Sequence, residues 1–317
     1  MIQTSLSDPA VLLIGHGTRR PAGVAEFHAL VEQLRQALPR RALLAGFLEL
    51  TEPSLAEALE TLWQQGFRRI SALPAFLMAA GHIKNDIPVM LDAFQAEHPG
   101  LEIALGADLG VHPHLLQVAR ERIECAEATL GPDYDRRETV LLVIGRGSSD
   151  LDANSNISKI AQILWEGMGF GWAVTAYTAV AAPLMADALE RIHRLGFRQV
   201  VVFPYLLFNG CLVERIHATV AEHGMAHPAA RTAVAPYLNV HPLLIETFLE
   251  RLCEAEKGAA SMNCQFCAYR TSIVGREEWQ GVPQAGHHRD HHHAGCNDRN
   301  RHGHAYPHCL CHAPLDL

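Results

Sequence analysis

Val11-Leu-Leu-Ile-Gly-His-Gly17 returns as Leu141-Leu-Val-Ile-Gly-Arg-Gly147, at an offset of 130 residues, and this repetition decides the fold. Four consecutive apolar residues ending at a glycine predict a strand buried on both faces, as the central strands of a parallel sheet are. The offset carries Pro53 onto Pro183, Gly66-Phe67-Arg68 onto Gly196-Phe197-Arg198, and Pro74 onto Pro204. Near the end of the repeat it slips to 129, matching Leu109-Gly-Val-His-Pro113 with Leu238-Asn-Val-His-Pro242. Chance does not hold such a register over a hundred residues, so the chain is two copies of one domain.

Within each copy, strand and helix patterns alternate. After the strand at 11–14, apolar residues at three- and four-residue steps from Val24 to Leu38 predict a helix over about 23–38. A second strand is expected at 42–48. Thr51 or Glu52 then begins a helix with Pro53 in its first turn, ending at Gly66. A third strand over 69–77, a helix over 85–97 and a fourth strand near 101–106 complete the unit. This pattern predicts an α/β fold of two similar domains, each a mainly parallel sheet flanked by helices, with a cleft between the facing strand ends. The expected boundaries are 1–130, 131–258 and a tail over 259–317.

The chain has 317 residues, 49% hydrophobic and 19% charged, which suits two globular cores. Its formal charge of -8, without a Lys/Arg stripe, argues against a nucleic-acid partner. No apolar run reaches the ~18–20 residues of a membrane span. The first residues lack a basic start followed by an apolar segment, so a cytoplasmic location is expected. Nine of the 20 histidines and five of the eight cysteines lie in residues 261–317, where no period is sustained. That crowding predicts a flexible metal-binding tail, read as a reservoir for divalent ions, rather than a third core. Cys264, Cys267, Cys309 and Cys311 supply four thiolates, enough for an Fe–S cluster or a tetrahedral zinc.

The repeat also serves as an internal control on chemistry. His16 stands opposite Arg146, Glu49 opposite Ala179, and His82 opposite Leu212. Residues required by the scaffold should occur in both copies, as His112 and His241 do, whereas these three mark the first copy only. All three fall at predicted strand ends, the rim where open α/β sheets bind ligands. Two imidazoles and a carboxylate suit Co, Fe, Ni or Zn, and so few ligands leave coordination positions open.

Ile14-Gly-His-Gly-Thr18, Phe47-Leu-Glu-Leu-Thr-Glu-Pro53 and Pro74-Ala-Phe-Leu-Met-Ala-Ala-Gly-His82 together resemble the CbiX/SirB family of class II chelatases. The resemblance implies insertion of Co²⁺ or Fe²⁺ into sirohydrochlorin by a duplicated chelatase fold, with His16 and His82 holding the metal. It places the family's strand carboxylate at Glu49, and His16, His82 or Glu49 would accept the pyrrole protons. Met262-Asn-Cys264-Gln-Phe-Cys267 is similar to a family motif associated with an iron–sulfur cluster. The substrate's carboxylates call for cations near the strand ends, and Arg19, Arg20, Lys84 and Arg146 are the candidates. The long form with a Cys/His-rich tail resembles the cobalt members more than the siroheme ones. A sirohydrochlorin cobaltochelatase of cobalamin biosynthesis, monomer or homodimer, is therefore expected, with a siroheme ferrochelatase as the alternative.

Rival readings fit less well. A metal store or metallochaperone accounts for the tail but not for a triad confined to one copy. A histidine phosphatase needs an arginine before the histidine, where Gly15 stands. Neither a G-x-G-x-x-G loop nor a P-loop is present, so no ATP requirement is expected.

Overall fold

A computed structural model describes residues 8–260; the tail thiols Cys264, Cys267, Cys309 and Cys311 and the tail histidines lie outside them. The first copy runs β1 (Ala10–Gly15), α1 (Pro21–Ala37), β2 (Leu43–Phe47), α2 (Leu55–Gln64), β3 (Arg69–Pro74), a π-turn (His82–Asp86), α3 (Ile87–Glu97), β4 (Glu102–Leu105) and α4 (Pro113–Glu127). A short 3₁₀ turn at 136–138 leads into β5 (Thr139–Gly145), and the second copy follows as α5 (Leu151–Met168), β6 (Trp172–Tyr177), α6 (Met185–Arg194), β7 (Gln199–Pro204), α7 (Cys211–Ala226), β8 (Arg231–Val234) and α8 (Pro242–Glu256). Each copy forms a four-stranded sheet, in the orders β2-β1-β3-β4 and β6-β5-β7-β8. All the pairings are parallel. Every residue of β1 and β5 is buried, as their unbroken apolar sequence predicts for central strands.

Two segments differ from the sequence expectation. The second helix starts after Ser54, not at Thr51 or Glu52. Ser54 and Glu57 form a reciprocal capping box that satisfies two helix-end N–H groups, so Pro53 precedes the helix instead of lying in its first turn. The third strand stops at Pro74, and the chain turns before the His82 segment.

The two copies interlock. Alternate residues of β1 and β5 face opposite ways, with Leu12, Leu142 and their neighbours packing outward beneath α2–α3 and α6–α7. Val11, Leu13, Leu141 and Val143 join a single inner core that includes residues of α1, α4, α5 and α8. Within it α8 packs on β3 of the first copy and α4 on β7 of the second, so each copy's last helix covers the other's sheet. Reciprocal contacts fix the exchange. Arg251 donates to the carbonyls of Asp108 and Leu109, and Arg122 donates to that of Leu238. His112 caps α4 through Nδ1 and meets Glu250 through Nε2 at 2.9 Å, while His241 caps α8 and meets Glu121 at 3.1 Å. The histidines found in both copies therefore lock the fold.

Candidate metal and tetrapyrrole site

His16 follows β1 directly, between two glycines with separate steric duties. A Cβ on Gly15 would come within 2.8 Å of Phe27 and Phe47, and one on Gly17, at φ +96°, within 1.7 Å of the Glu49 carbonyl oxygen. Glycine therefore lets the chain after β2 press against the His16 turn. The Leu48 and Glu49 N–H groups donate to the carbonyls of Gly15 and His16, extending the strand pairing to bring the two side chains side by side. Thr51 clamps the turn by accepting from the Thr18 N–H and donating to the Thr18 carbonyl. His16 Nδ1 then lies 3.4 Å from Glu49 Oε1. The second copy makes the same turn at Gly145-Arg146-Gly147, where Gly147 again clears a carbonyl, that of Ala179.

His82 arrives by a different device. Ile83 and Lys84 donate to Ala80 as Val213 and Glu214 donate to Gly210, so the offset is still 130 where the helix begins. The Ile87 N–H then reaches back five residues to the His82 carbonyl. The first copy thus carries one extra residue as a π-turn, and from there the offset is 129. Such single-turn π insertions concentrate at functional sites. This one places Asp86 Oδ2 2.7 Å from His82 Nδ1. The helix therefore begins before the predicted residue 85.

The rings of His16 and His82 meet edge to face with centroids 4.9 Å apart, and Phe76 lies beside both at 6.3 and 6.2 Å. Each imidazole has a carboxylate near Nδ1: Asp86 is at hydrogen-bond distance from His82, and for His16 the Gly17 carbonyl lies at 3.2 Å with Glu49 just beyond it. With the proton held on Nδ1, the lone pair is on Nε2, the arrangement that an acceptor behind a metal-binding histidine imposes. Asp86 was not foreseen from the sequence, although the one-residue slip of the repeat marks the segment that carries it.

The predicted cations separate. Arg19 and Arg146 are exposed beside the strand ends. Arg20 pairs with Glu214 of the second copy at 2.9 Å. Lys84 corrects the expectation of a substrate-binding cation. Its side chain is fully buried, with Nζ 2.6 Å from Asp150 and 3.1 Å from Asp152. Burial favours the neutral amine, but the two carboxylates outweigh it and raise the pKa of the ammonium. It joins the copies and presents no charge to a ligand.

A duplicated parallel α/β chain, with two imidazoles and a carboxylate grouped at the strand rim of one copy, has the fold of the class II metal chelatases. The chain belongs to the CbiX family, whose model matches residues 10–126 and again 140–255. A sirohydrochlorin cobaltochelatase of Priestia megaterium is 32% identical over 266 residues, 84% of this chain and 86% of that protein. A sirohydrochlorin ferrochelatase of the same organism is 31% identical over 233 residues, 73% and 85% of the two chains. The structure of SirB from Bacillus subtilis with Fe³⁺ superposes with a TM-score of 0.69 at 25% identity, over 81% of this chain and all of the other. No helix among the described residues is long and apolar enough to cross a membrane.

Proposed function

We propose that this protein is a sirohydrochlorin cobaltochelatase, inserting Co²⁺ without ATP for cobalamin biosynthesis. The observation that carries the reading is the joining of His16, Glu49 and His82 at one rim, in the copy that has them, within a CbiX-family chain. The incoming metal ion is a substrate. Nε2 of His16 and of His82 hold it, leaving its other coordination positions for the macrocycle nitrogens. As those nitrogens bind, two pyrrole N–H protons must leave. As the ion passes from His16 to the macrocycle, Nε2 of His16 is freed and takes one of these protons, giving an imidazolium that Glu49 stabilises, and the other leaves to solvent. Asp86 fixes the His82 ring so that its lone pair stays on the metal side. Arg19 and Arg146 anchor substrate carboxylates at the rim, joined by Arg20 when it exchanges Glu214 for substrate.

The tail, with its four thiolates and nine histidines, holds metal separately, as a reservoir or at a cluster. Iron is the second reading, favoured by the ferrochelatase relative at nearly equal identity. Anaerobic protein mixed with sirohydrochlorin and equimolar Co²⁺ or Fe²⁺, followed by tetrapyrrole absorbance, separates the two. A faster cobalt rate is expected, a faster iron rate makes the chain a ferrochelatase, and no change with either metal refutes the chelatase reading.

A further inference from the structure

Aligning the copies exposes a second place where histidines appear on one side only, and here the second copy has them. In the first copy Glu60 on α2 pairs with His98 at the end of α3, with Nε2 3.5 Å from Oε2, and the pair is flanked by Trp63 and Phe94. The rings of Trp63 and Phe94 lie 4.9 and 3.9 Å from that of His98. The second copy keeps the pair as Glu190 and His227, 3.1 Å apart, and replaces both flanking aromatics by histidine, His193 for Trp63 and His223 for Phe94. The scaffold has a working apolar solution at these two positions. Packing therefore does not call for imidazoles there.

The geometry gathers them. The rings of His193 and His223 lie 3.8 and 4.6 Å from that of His227. Ligand atoms of Glu190, His223 and His227 are all within 4.8 Å of one another. His223 is half-buried, and both its ring nitrogens are buried without a hydrogen-bond partner, a cost that a protein ordinarily avoids. Desolvation first, and the neighbouring His227 and His193 next, lower its pKa and keep it in the neutral form that ligates metals. Arg194 Nε holds Glu190 Oε1 at 2.9 Å and turns the other carboxylate oxygen to the imidazoles. The comparable group His112, His114 and Glu250 differs, because His112 already spends both nitrogens on the α4 cap and on Glu250.

We propose that Glu190, His193, His223 and His227 form a binding site for a divalent transition-metal ion, clamping α6 to α7 on the copy that lacks the chelatase triad. Three imidazoles and a carboxylate suit Zn²⁺, Co²⁺ or Ni²⁺ in four-coordination. Ligand atoms of a tetrahedral ion lie roughly 3.4 Å apart at metal–nitrogen bonds of about 2.1 Å, so small side-chain rotations close the site. At His227 the entering ion takes the nitrogen that faces Glu190 and the single ring proton moves to the other nitrogen, so that a neutral imidazole ligates.

The test uses the full chain and Zn²⁺ alone, reading hydrogen–deuterium exchange at imidazole C2 by peptide mass spectrometry, which separates these histidines from those of the tail. Zn²⁺ should slow exchange at His223 and His227 at least fivefold. The double variant His193→Trp/His223→Phe restores the first copy's residues and should fold normally, and in it His227 should lose its Zn²⁺ protection. Glu190→Gln should weaken protection at all three histidines without touching the aromatic packing. Equal exchange at His223 and His227 with and without Zn²⁺, or protection of His227 that survives the double replacement, overturns the site.

Discussion

Lys84→Met tests whether Lys84 is a joint between the copies or a substrate contact. Its side chain is fully buried, that of Asp150 is 4% exposed and that of Asp152 33%. Methionine matches the stem in volume, so the loss is the ammonium, which leaves Asp150 buried without its cation. Breaking a buried pair from one side costs about 3–5 kcal/mol, and the partial exposure of Asp152 places this one near 3. For a chain of this size that lowers Tm by roughly 6–12 °C at 2–4 °C per kcal/mol. Thermal and urea unfolding measured by circular dichroism would show it. The triple variant Lys84→Met/Asp150→Asn/Asp152→Asn removes the stranded charges and should recover most of the loss. A raised KM for sirohydrochlorin with unchanged Tm would refute the joint and restore Lys84 as a substrate contact.

His16→Ala and His82→Ala should each abolish metal insertion while leaving the circular dichroism spectrum and Tm within error, and retained activity in either variant would remove that residue from the site. Asp86→Asn should lower insertion about 10–100-fold, the usual effect of losing a carboxylate behind a metal-binding imidazole, with kcat falling more than the affinity for sirohydrochlorin. Asp108 accepts from the Ala79 N–H at 2.9 Å, and burial pushes its pKa up to about 6 despite Arg251 nearby. A carboxyl whose folded pKa exceeds the unfolded value of about 3.9 destabilises the fold when ionised, so its contribution should improve by about 1.4 kcal/mol as pH falls from 8 to 5. Asp108→Asn should abolish that part of the slope in urea titrations, and parallel slopes for the two proteins would contradict it.

The legibility of the chain followed the range of the forces involved. β1 and β5 were readable because a strand buried on both faces must be apolar throughout, a purely local demand. The grouping of His16, Glu49 and His82 at one rim was readable because the repeat supplied a copy of the same scaffold without them. The start of α2 was misplaced although its signal is local: Thr51, Glu52 and Ser54 are all plausible openings, and the Ser54–Glu57 reciprocity decides among them. Lys84 was misread for a different reason. Its partner Asp152 is 68 residues away in the other copy, and a lone lysine after a strand looks the same in sequence whether it faces solvent or a carboxylate. The exchange of α4 and α8 left no local trace either, since a helix shows which stripe is apolar but not whose sheet receives it.

The joint ties the copy without the triad to the copy that has it, and it carries a specificity code. In register, Arg20 corresponds to Asp150 and Lys84 to Glu214. The first copy is basic at both positions and the second acidic at both, and the observed pairs are the crossed ones, Arg20 with Glu214 and Lys84 with Asp150. Two first copies meeting through the same surface would bring Lys84 against Arg20 twice, one of them buried, and two second copies would bring Asp150 against Glu214. The buried like-charge contact costs several kcal/mol and the exposed one much less, so association of identical halves is penalised while the crossed pairing is favoured. Fragments 8–130 and 131–260, produced separately and mixed, should therefore assemble one to one in preference to self-association, as read by native mass spectrometry. Changing Asp150 to Arg and Glu214 to Lys in the second fragment should abolish that preference. Halves that self-associate as readily as they combine would show that the apolar core, common to both copies, decides the pairing and that the inverted charges only follow it.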